Sequence, residues 1–180
     1  MNRFAAGILA LSGLAATACT PVTSGGGGAT TDLLSDYKSF QSVGFNFTPN
    51  ATFKGLSGSA DYVGVAQLTE TISKNYLGAL QATMDFDNST ITGTMDNFSE
   101  LQIGTTATLG STVSGSFDLD GTIGTDNENL RLGLTGTADG TLDGQTIAMT
   151  FGGNLIGATD YTLLLSFSGD RTGQGWAVED

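Results

Sequence analysis

The chain has 180 residues, eighteen of them acidic and six basic, for a formal net charge of −12; it holds no histidine and one cysteine. So negative a surface repels nucleic acid and anionic head groups, the missing histidine removes most hydrolase triads, most transition-metal sites and histidine-ligated haem, and one cysteine permits no intrachain disulfide. Glycine, at 27 residues, runs to about twice its usual ~7% share, and only two prolines are present, a mixture that suits short strands and tight turns.

Residues 1–18 read as a lipoprotein signal peptide. Arg3 supplies the positive start, and Phe4 to Ala18 is apolar or small apart from Ser12 and Thr17. Such a run is too short for a stable membrane span. The single cysteine, Cys19, follows Leu14-Ala15-Ala16-Thr17-Ala18, which resembles a bacterial lipobox, with Ala16 where leucine is usual. The resemblance implies lipidation of Cys19, with palmitate among the acyl chains. Ala16-Thr17-Ala18 is also an A-x-A site for ordinary signal peptidase, which would leave a secreted or periplasmic protein. Loss of Arg3 with the signal leaves five basic residues against eighteen acidic ones, a net charge of −13. That charge keeps an exported protein soluble and suits a cationic partner.

Residues 19–40 read as a lipid-anchored flexible linker built on Ser24-Gly25-Gly26-Gly27-Gly28. Leu33, Leu34 and Tyr37 fit a short turn of helix capped by Thr31 or Asp32. Thr20, rather than Asp, follows the cysteine, so no inner-membrane retention signal is visible and outer-membrane sorting is the default expectation.

From Val43 the apolar period is two. Val43, Phe45 and Phe47 begin it, then Ala60 to Ala66, Leu80 to Phe86, Ile91 to Met95, Val113 to Ile123, Leu130 to Leu142, Ile147 to Leu155 and Tyr161 to Phe167. Each run is apolar on one side and polar on the other, as in an antiparallel sheet wet on one face. Asp143-Gly144 predicts a tight hairpin. Gln67–Tyr76 alone has room for a sizeable helix, and its threonines argue for a loop. Glycine recurs on the apolar side in Gly58-Ser59-Ala60-Asp61, Gly93-Thr94-Met95-Asp96, Gly115-Ser116-Phe117-Asp118 and Gly136-Thr137-Ala138-Asp139. Glycine there suits a strand that bends or faces a bulky neighbour, as barrel closure demands. The unequal spacing of these segments excludes a calcium-binding nonapeptide array.

The expected fold is all-β: an eight-stranded antiparallel up-and-down β-barrel over residues 41–172, with 173–180 a C-terminal tail. One Trp and four Tyr cannot supply the two aromatic girdles of a membrane barrel. The apolar face is therefore expected inside, with the membrane reached only through the lipid anchor. Trp176, in the tail, either plugs a barrel end or trails.

Four stretches resemble the β-barrel domain of the transferrin-binding protein B family, which includes factor H-binding protein and other surface lipoproteins of Gram-negative bacteria. Gly58-Ser59-Ala60-Asp61-Tyr62-Val63-Gly64 resembles its G-x-A-x-Y-x-G strand. Gly78 to Met95 resembles its hairpin ending in Asp-Phe, and Gly153-Asn154-Leu155-Ile156-Gly157 stands where G-x-F-Y-G is frequent. Ser168-Gly169-Asp170-Arg171 is similar to the closing segment. The resemblance implies an eight-stranded barrel at the cell surface. Ala158-Thr159-Asp160-Tyr161 replaces the usual acidic and Gly-Gly stretch, and neither a handle domain nor a second lobe is present, so transferrin binding is carried to no residue.

Candidate chemistry rests on carboxylates. Asp85 with Asp87, and Asp118 with Asp120, share an outer face as pairs, and without a pocket such pairs are solvated surface. Asp85-Phe86-Asp87-Asn88 and Asp126-Asn127-Glu128-Asn129 offer oxygens to calcium or serve as turns. Tyr62, Phe86 and Phe117 line a small cavity or fill the interior, and filling is favoured. No cofactor, metal site or enzymatic activity is expected. The expected function is a non-enzymatic binding module, anchored at the outer membrane or cell surface, for a protein or small nutrient molecule. Segments around Thr69–Asn75, Asn97–Thr112 and Thr125–Asn129 would carry the contacts. The alternative is a structural or interaction protein of the envelope without a soluble ligand.

Overall fold

The computed structural model describes residues 30–42, 55–126, 131–156 and 161–180. One helix, α1 (Thr30–Phe40), precedes nine strands: β1 (Ser59–Thr71), β2 (Lys74–Asp85), β3 (Thr90–Gln102), β4 (Thr108–Thr112), β5 (Gly115–Asp126), β6 (Arg131–Leu142), β7 (Gln145–Ile156), β8 (Thr162–Gly169) and β9 (Thr172–Glu179). Every pairing is antiparallel. The circuit β1-β2-β3-β5-β6-β7-β8-β9 closes because β9 pairs back onto β1, Tyr62 opposite Glu179 through Thr69 opposite Thr172. This is a closed eight-stranded barrel.

The short β4 lies outside that circuit. In β3 the register slips against β2 between Leu77 and Ala79, and Asn97, with φ of 53°, marks the bulge. Bulges bend a strand and release it from one neighbour. Below the bulge, Thr90 to Met95 pair with β5; above it, Ser99 to Gln102 pair with β4. The segment expected as a loop at Gln67–Tyr76 is instead the ends of β1 and β2 joined through Ile72-Ser73. The Asp143-Gly144 hairpin forms as expected, with φ of 53° and 74°, the positive pair that a two-residue turn of this twist requires.

Alternation sends the apolar side chains inward. Tyr62, Leu68, Tyr76, Leu80, Met84, Ile91, Met95, Phe98, Phe117, Leu134, Phe151, Leu163 and Phe167 form one buried cluster. Phe98 meets Phe117 edge-on at 5.7 Å, and Phe151 meets Phe167 at 6.3 Å. Glycine makes room for these rings. Gly121 and Gly136 face each other across β5 and β6, and a methyl group would come within 2.7 Å and 2.5 Å respectively of Phe151 Cζ.

A polar row runs around the outer wall. Asp61, Thr83, Thr92, Asp120, Thr137, Thr150 and Ser168 are partners in succession around it, all exposed. Apolar inside and polar outside is the reverse of a transmembrane barrel. Among the described residues no helix is long and apolar enough to cross a membrane.

Two expectations need correction. Residues 173–180 are not a tail: 172–179 form β9, the strand that closes the barrel. Its inward positions are Gly173, Gly175 and Ala177, too small to mark a core face, while Trp176 points outward. Nor is all of 19–40 a linker, since 30–40 is α1. Leu33, Tyr37 and Phe40 lie on one helical face and bury against Val65, Leu77, Leu101 and Trp176 on the outer wall. Tyr37 meets the Trp176 ring edge-on at 6.1 Å. Part of the outer wall is therefore apolar, because a helix covers it. The run at Val43, Phe45 and Phe47, expected as the first strand, and the caps at Thr31 or Asp32 fall outside the residues or side chains described.

Candidate functional site at the upper rim

The hairpins β1–β2, β6–β7 and β8–β9 turn at the same end of the barrel, called here the upper end. The turn between β2 and β3, with Ser59 and Asp180, marks the lower one. The β1–β2 hairpin reaches its turn through a second bulge: Thr69 is opposite Asn75, and the next partners are Thr71 and Lys74. Glu70 is the extra residue, so its side chain is turned across the rim. Thr69 Oγ1 donates to Asn75 Oδ1 at 2.8 Å and fixes the bulge from beside it.

Glu70 is the hub of the rim. Tyr76 Oη donates to Glu70 Oε2 at 2.8 Å, and Lys74 Nζ lies 3.0 Å from the same oxygen. Arg171 Nη2, from the β8–β9 turn, lies 3.0 Å from Glu70 Oε1 and donates to Gln145 Oε1 at 2.8 Å. Lys74 reaches on to Asp143 Oδ2 at 3.4 Å, with its ammonium 5.3 Å from the Tyr76 ring centroid. The carboxylate thus joins two hairpins directly and, through Arg171 and Lys74, a third. The Tyr76 and Lys74 hydrogen bonds hold the Glu70 carboxyl below the usual carboxylate range. Hydrogen bonds to Tyr76 and Glu70 push the Lys74 ammonium up. Desolvation is modest at Lys74, whose side chain is 40% exposed, and greater at Arg171, 14% exposed. Asp170 adds a tie at the same turn, its Oδ2 accepting from Ala148 N at 3.0 Å.

These polar contacts fix hairpin positions, and Lys74, Asp143 and Asp170 remain accessible to a partner. The segments 69–75 and 97–112, expected to carry contacts, both reach this end. The segment 125–129 runs to the opposite end, and residues 127–130 lie outside the described residues. Ile103, in the connection from β3 to β4, is an exposed apolar side chain at 60%.

The other sequence candidates are not brought together. Asp85 closes a turn: Oδ1 accepts from Asn88 N at 2.9 Å and Oδ2 from Asn88 Nδ2 at 2.7 Å. Those bonds hold its carboxyl low and occupy the oxygens that calcium would need. Asp118 and Asp120 are exposed on the outer wall, Asp118 directly opposite Asp139. Among the described residues no group of three His, Cys, Asp or Glu side chains is placed to hold a metal ion. Tyr62 and Phe117 are buried in the packed interior, and Phe86 is half-buried against it. Two depressions, of about 350 Å3 beside Gln67, Ser166 and Gln174 and about 290 Å3 beside Thr137, Ala148 and Ser168, open on the outer wall. Cys19 and Asp126–Asn129 lie outside the described residues or side chains.

Sequence reading missed Glu70, Lys74 and Arg171 as a unit. Its one signal was a Glu-Lys pair four apart across a turn, in a chain with only six basic residues. No family model, no curated protein and no solved structure matches the chain.

Proposed function

We propose that the protein is a lipoprotein of the outer membrane or cell surface, anchored through Cys19, whose barrel is a non-enzymatic binding module. The observation that carries this reading is the rim: three hairpins clamped together by Glu70 and Arg171 present a rigid, half-solvated polar surface. Rigid rims that carry accessible charge suit recognition of a protein surface, since little ordering entropy is lost on contact. The packed interior gives the rim more weight than the barrel's middle as the place of contact. The polar outer wall suits a domain standing in water beside the membrane, with its attachment made by acyl chains. The barrel and the Gly-rich leader support a place beside the transferrin-binding protein B family. Dense packing also favours the second reading, an envelope protein that assembles with neighbours and takes no soluble ligand.

Two measurements test the proposal. Labelled palmitate fed to expressing cells is expected to enter the wild-type chain and not Cys19→Ala; an unlabelled wild type overturns the anchor. Full-length protein in detergent, immobilised, is expected to capture an envelope or host protein that a Lys74→Glu/Asp143→Lys variant releases. Capture that is equal on both proteins, or absent, overturns the rim as the contact surface.

A further inference from the structure

The outer wall holds a second constellation where the barrel closes. Gln67 on β1 is the direct partner of Gln174 on β9, and Gln174 is the direct partner of Ser166 on β8. Nearer the rim, Thr69 stands opposite Thr172 across the same seam. Alternation turns all five side chains outward, because Leu68 and Phe167 between them belong to the core. They line a depression of about 350 Å3, at the lower end of the ~300–1,000 Å3 range of small-molecule sites. Next in the row, opposite Ser166, is Gly152 on β7. A methyl group there would meet only the Leu134 carbonyl oxygen, at 3.7 Å. The wall therefore steps down from two long amides to a hydroxyl and then to bare backbone.

The chemistry of this depression is uniform: amides and hydroxyls, with no charged side chain in the lining. Gln174, Ser166 and Thr172 are exposed. Gln67 Nε2 reaches Asn75 Oδ1 only at 3.5 Å, which leaves its carbonyl oxygen unused. Thr69 Oγ1 donates to Asn75 and keeps its lone pairs. The nearest charges in the chain, Glu70 and Arg171, follow Thr69 and precede Thr172, and they are paired with each other at 3.0 Å. Leu164, half-buried on the same outward side two residues before Ser166, gives the depression an apolar margin. The other depression on the wall differs, since Asp139 lines it beside Ala148 and Met149.

We propose that the depression at the β8–β9–β1 seam binds a neutral saccharide, its hydroxyls held by Gln67, Gln174 and Ser166. A primary amide sets a donor beside an acceptor, and a serine or threonine hydroxyl is both. Each sugar hydroxyl is likewise both, so neighbouring hydroxyls match one amide two for two. The C–H face of a ring can rest on Leu164. A charged ligand finds no opposite charge in the lining. An apolar one takes water from five polar side chains and returns no hydrogen bond. The side chains stand on paired strands rather than loops, so little backbone freedom is lost on contact. The proposal goes beyond the rim reading. Neither Lys74 nor Asp143 lines the depression, so either can fail without the other.

The test is a nuclear magnetic resonance titration of the full-length protein in a sugar-free detergent, labelled on the side-chain amide nitrogens of its six glutamines. Maltotriose, cellotriose and chitotriose are added in separate series. At least one is expected to give saturable shifts at Gln67 and Gln174, with Gln81 and Gln102 unmoved. Affinity for that sugar should fall about tenfold in Gln174→Leu, which keeps the bulk and removes the paired hydrogen bonds of the amide. It should hold in Gln81→Leu, an exposed position on β2 away from the depression. Unchanged far-ultraviolet circular dichroism shows that each variant keeps the barrel. Three sugars without a saturable shift, wild-type affinity in Gln174→Leu, or tighter binding of the anionic 3′-sialyllactose than of all three would overturn the proposal.

Discussion

Arg171 and Glu70 stand 101 residues apart in sequence and 3.0 Å apart in space. Their contact crosses the seam where β9 meets β1, so it forms only when the barrel has closed. Closure of such a long loop costs chain entropy before any contact repays it. A half-buried ion pair placed at the seam rewards the closed state alone.

Replacement of Arg171 by alanine should therefore destabilise the barrel by about 1–3 kcal/mol, since it removes the cross-seam partner of the part-buried Glu70 carboxylate. Lys74→Ala should cost much less, because its ammonium is solvated and screened. Urea midpoints of the two variants check the order; equal losses would show that the seam pair has no special weight.

Acid should weaken the rim. The Glu70 carboxyl titrates below its unfolded value, chiefly through the Tyr76 and Lys74 hydrogen bonds. A lowered pKa means stability that is whole above the unfolded pKa, about 4.3 for Glu, and lost as pH falls through the folded one. The eighteen acidic residues complicate a direct scan, because protonation also relieves their mutual repulsion. The clean comparison is wild type minus Glu70→Gln. Their difference in urea midpoint should be constant from neutral pH to about pH 5 and shrink below the ordinary carboxylate range. A difference that grows on acidification would reverse the sign argued here.

Tyr37 and Trp176 should be energetically coupled. Their rings meet at 71°, a geometry worth about 0.5–1.5 kcal/mol beyond simple burial. Trp176→Ala alone should cost about 3–5 kcal/mol, since it empties the seat of α1. In a double-mutant cycle with Tyr37→Ala, the two losses should fall short of additivity by the pair term. Full additivity would mean that α1 rests on the wall without gripping it.

The contrast between β5 and β9 shows what was legible. In β5, Phe117, Leu119 and Ile123 alternate with Asp118, Asp120 and Thr122, so one face is plainly oily and the strand could be read at once. In β9 the pattern is inverted, with glycine and alanine inside and Trp176 and Val178 outside. Only the presence of α1 explains a tryptophan on the outer wall, and α1 itself shows just Leu33, Tyr37 and Phe40 at helical spacing. Two weak signals that make sense only together are invisible one at a time. The rim has the same difficulty: Glu70 and Arg171 become neighbours through barrel closure, which alternation predicts without saying which strands form the seam.

The hydroxyl of Tyr62 makes a prediction of opposite sign. Most core substitutions destabilise. Tyr62→Phe keeps the ring in place beside Ala66 and Leu80 in the core cluster and deletes a buried hydroxyl that has no partner. The folded state then no longer bears the desolvation of an unpaired polar group, while the unfolded state loses only a solvated one. The variant should be more stable than the wild type by about 1 kcal/mol. Thermal denaturation of the two proteins side by side decides it: a higher midpoint for the phenylalanine form fits an orphaned hydroxyl, and a lower one shows that the free protein satisfies it.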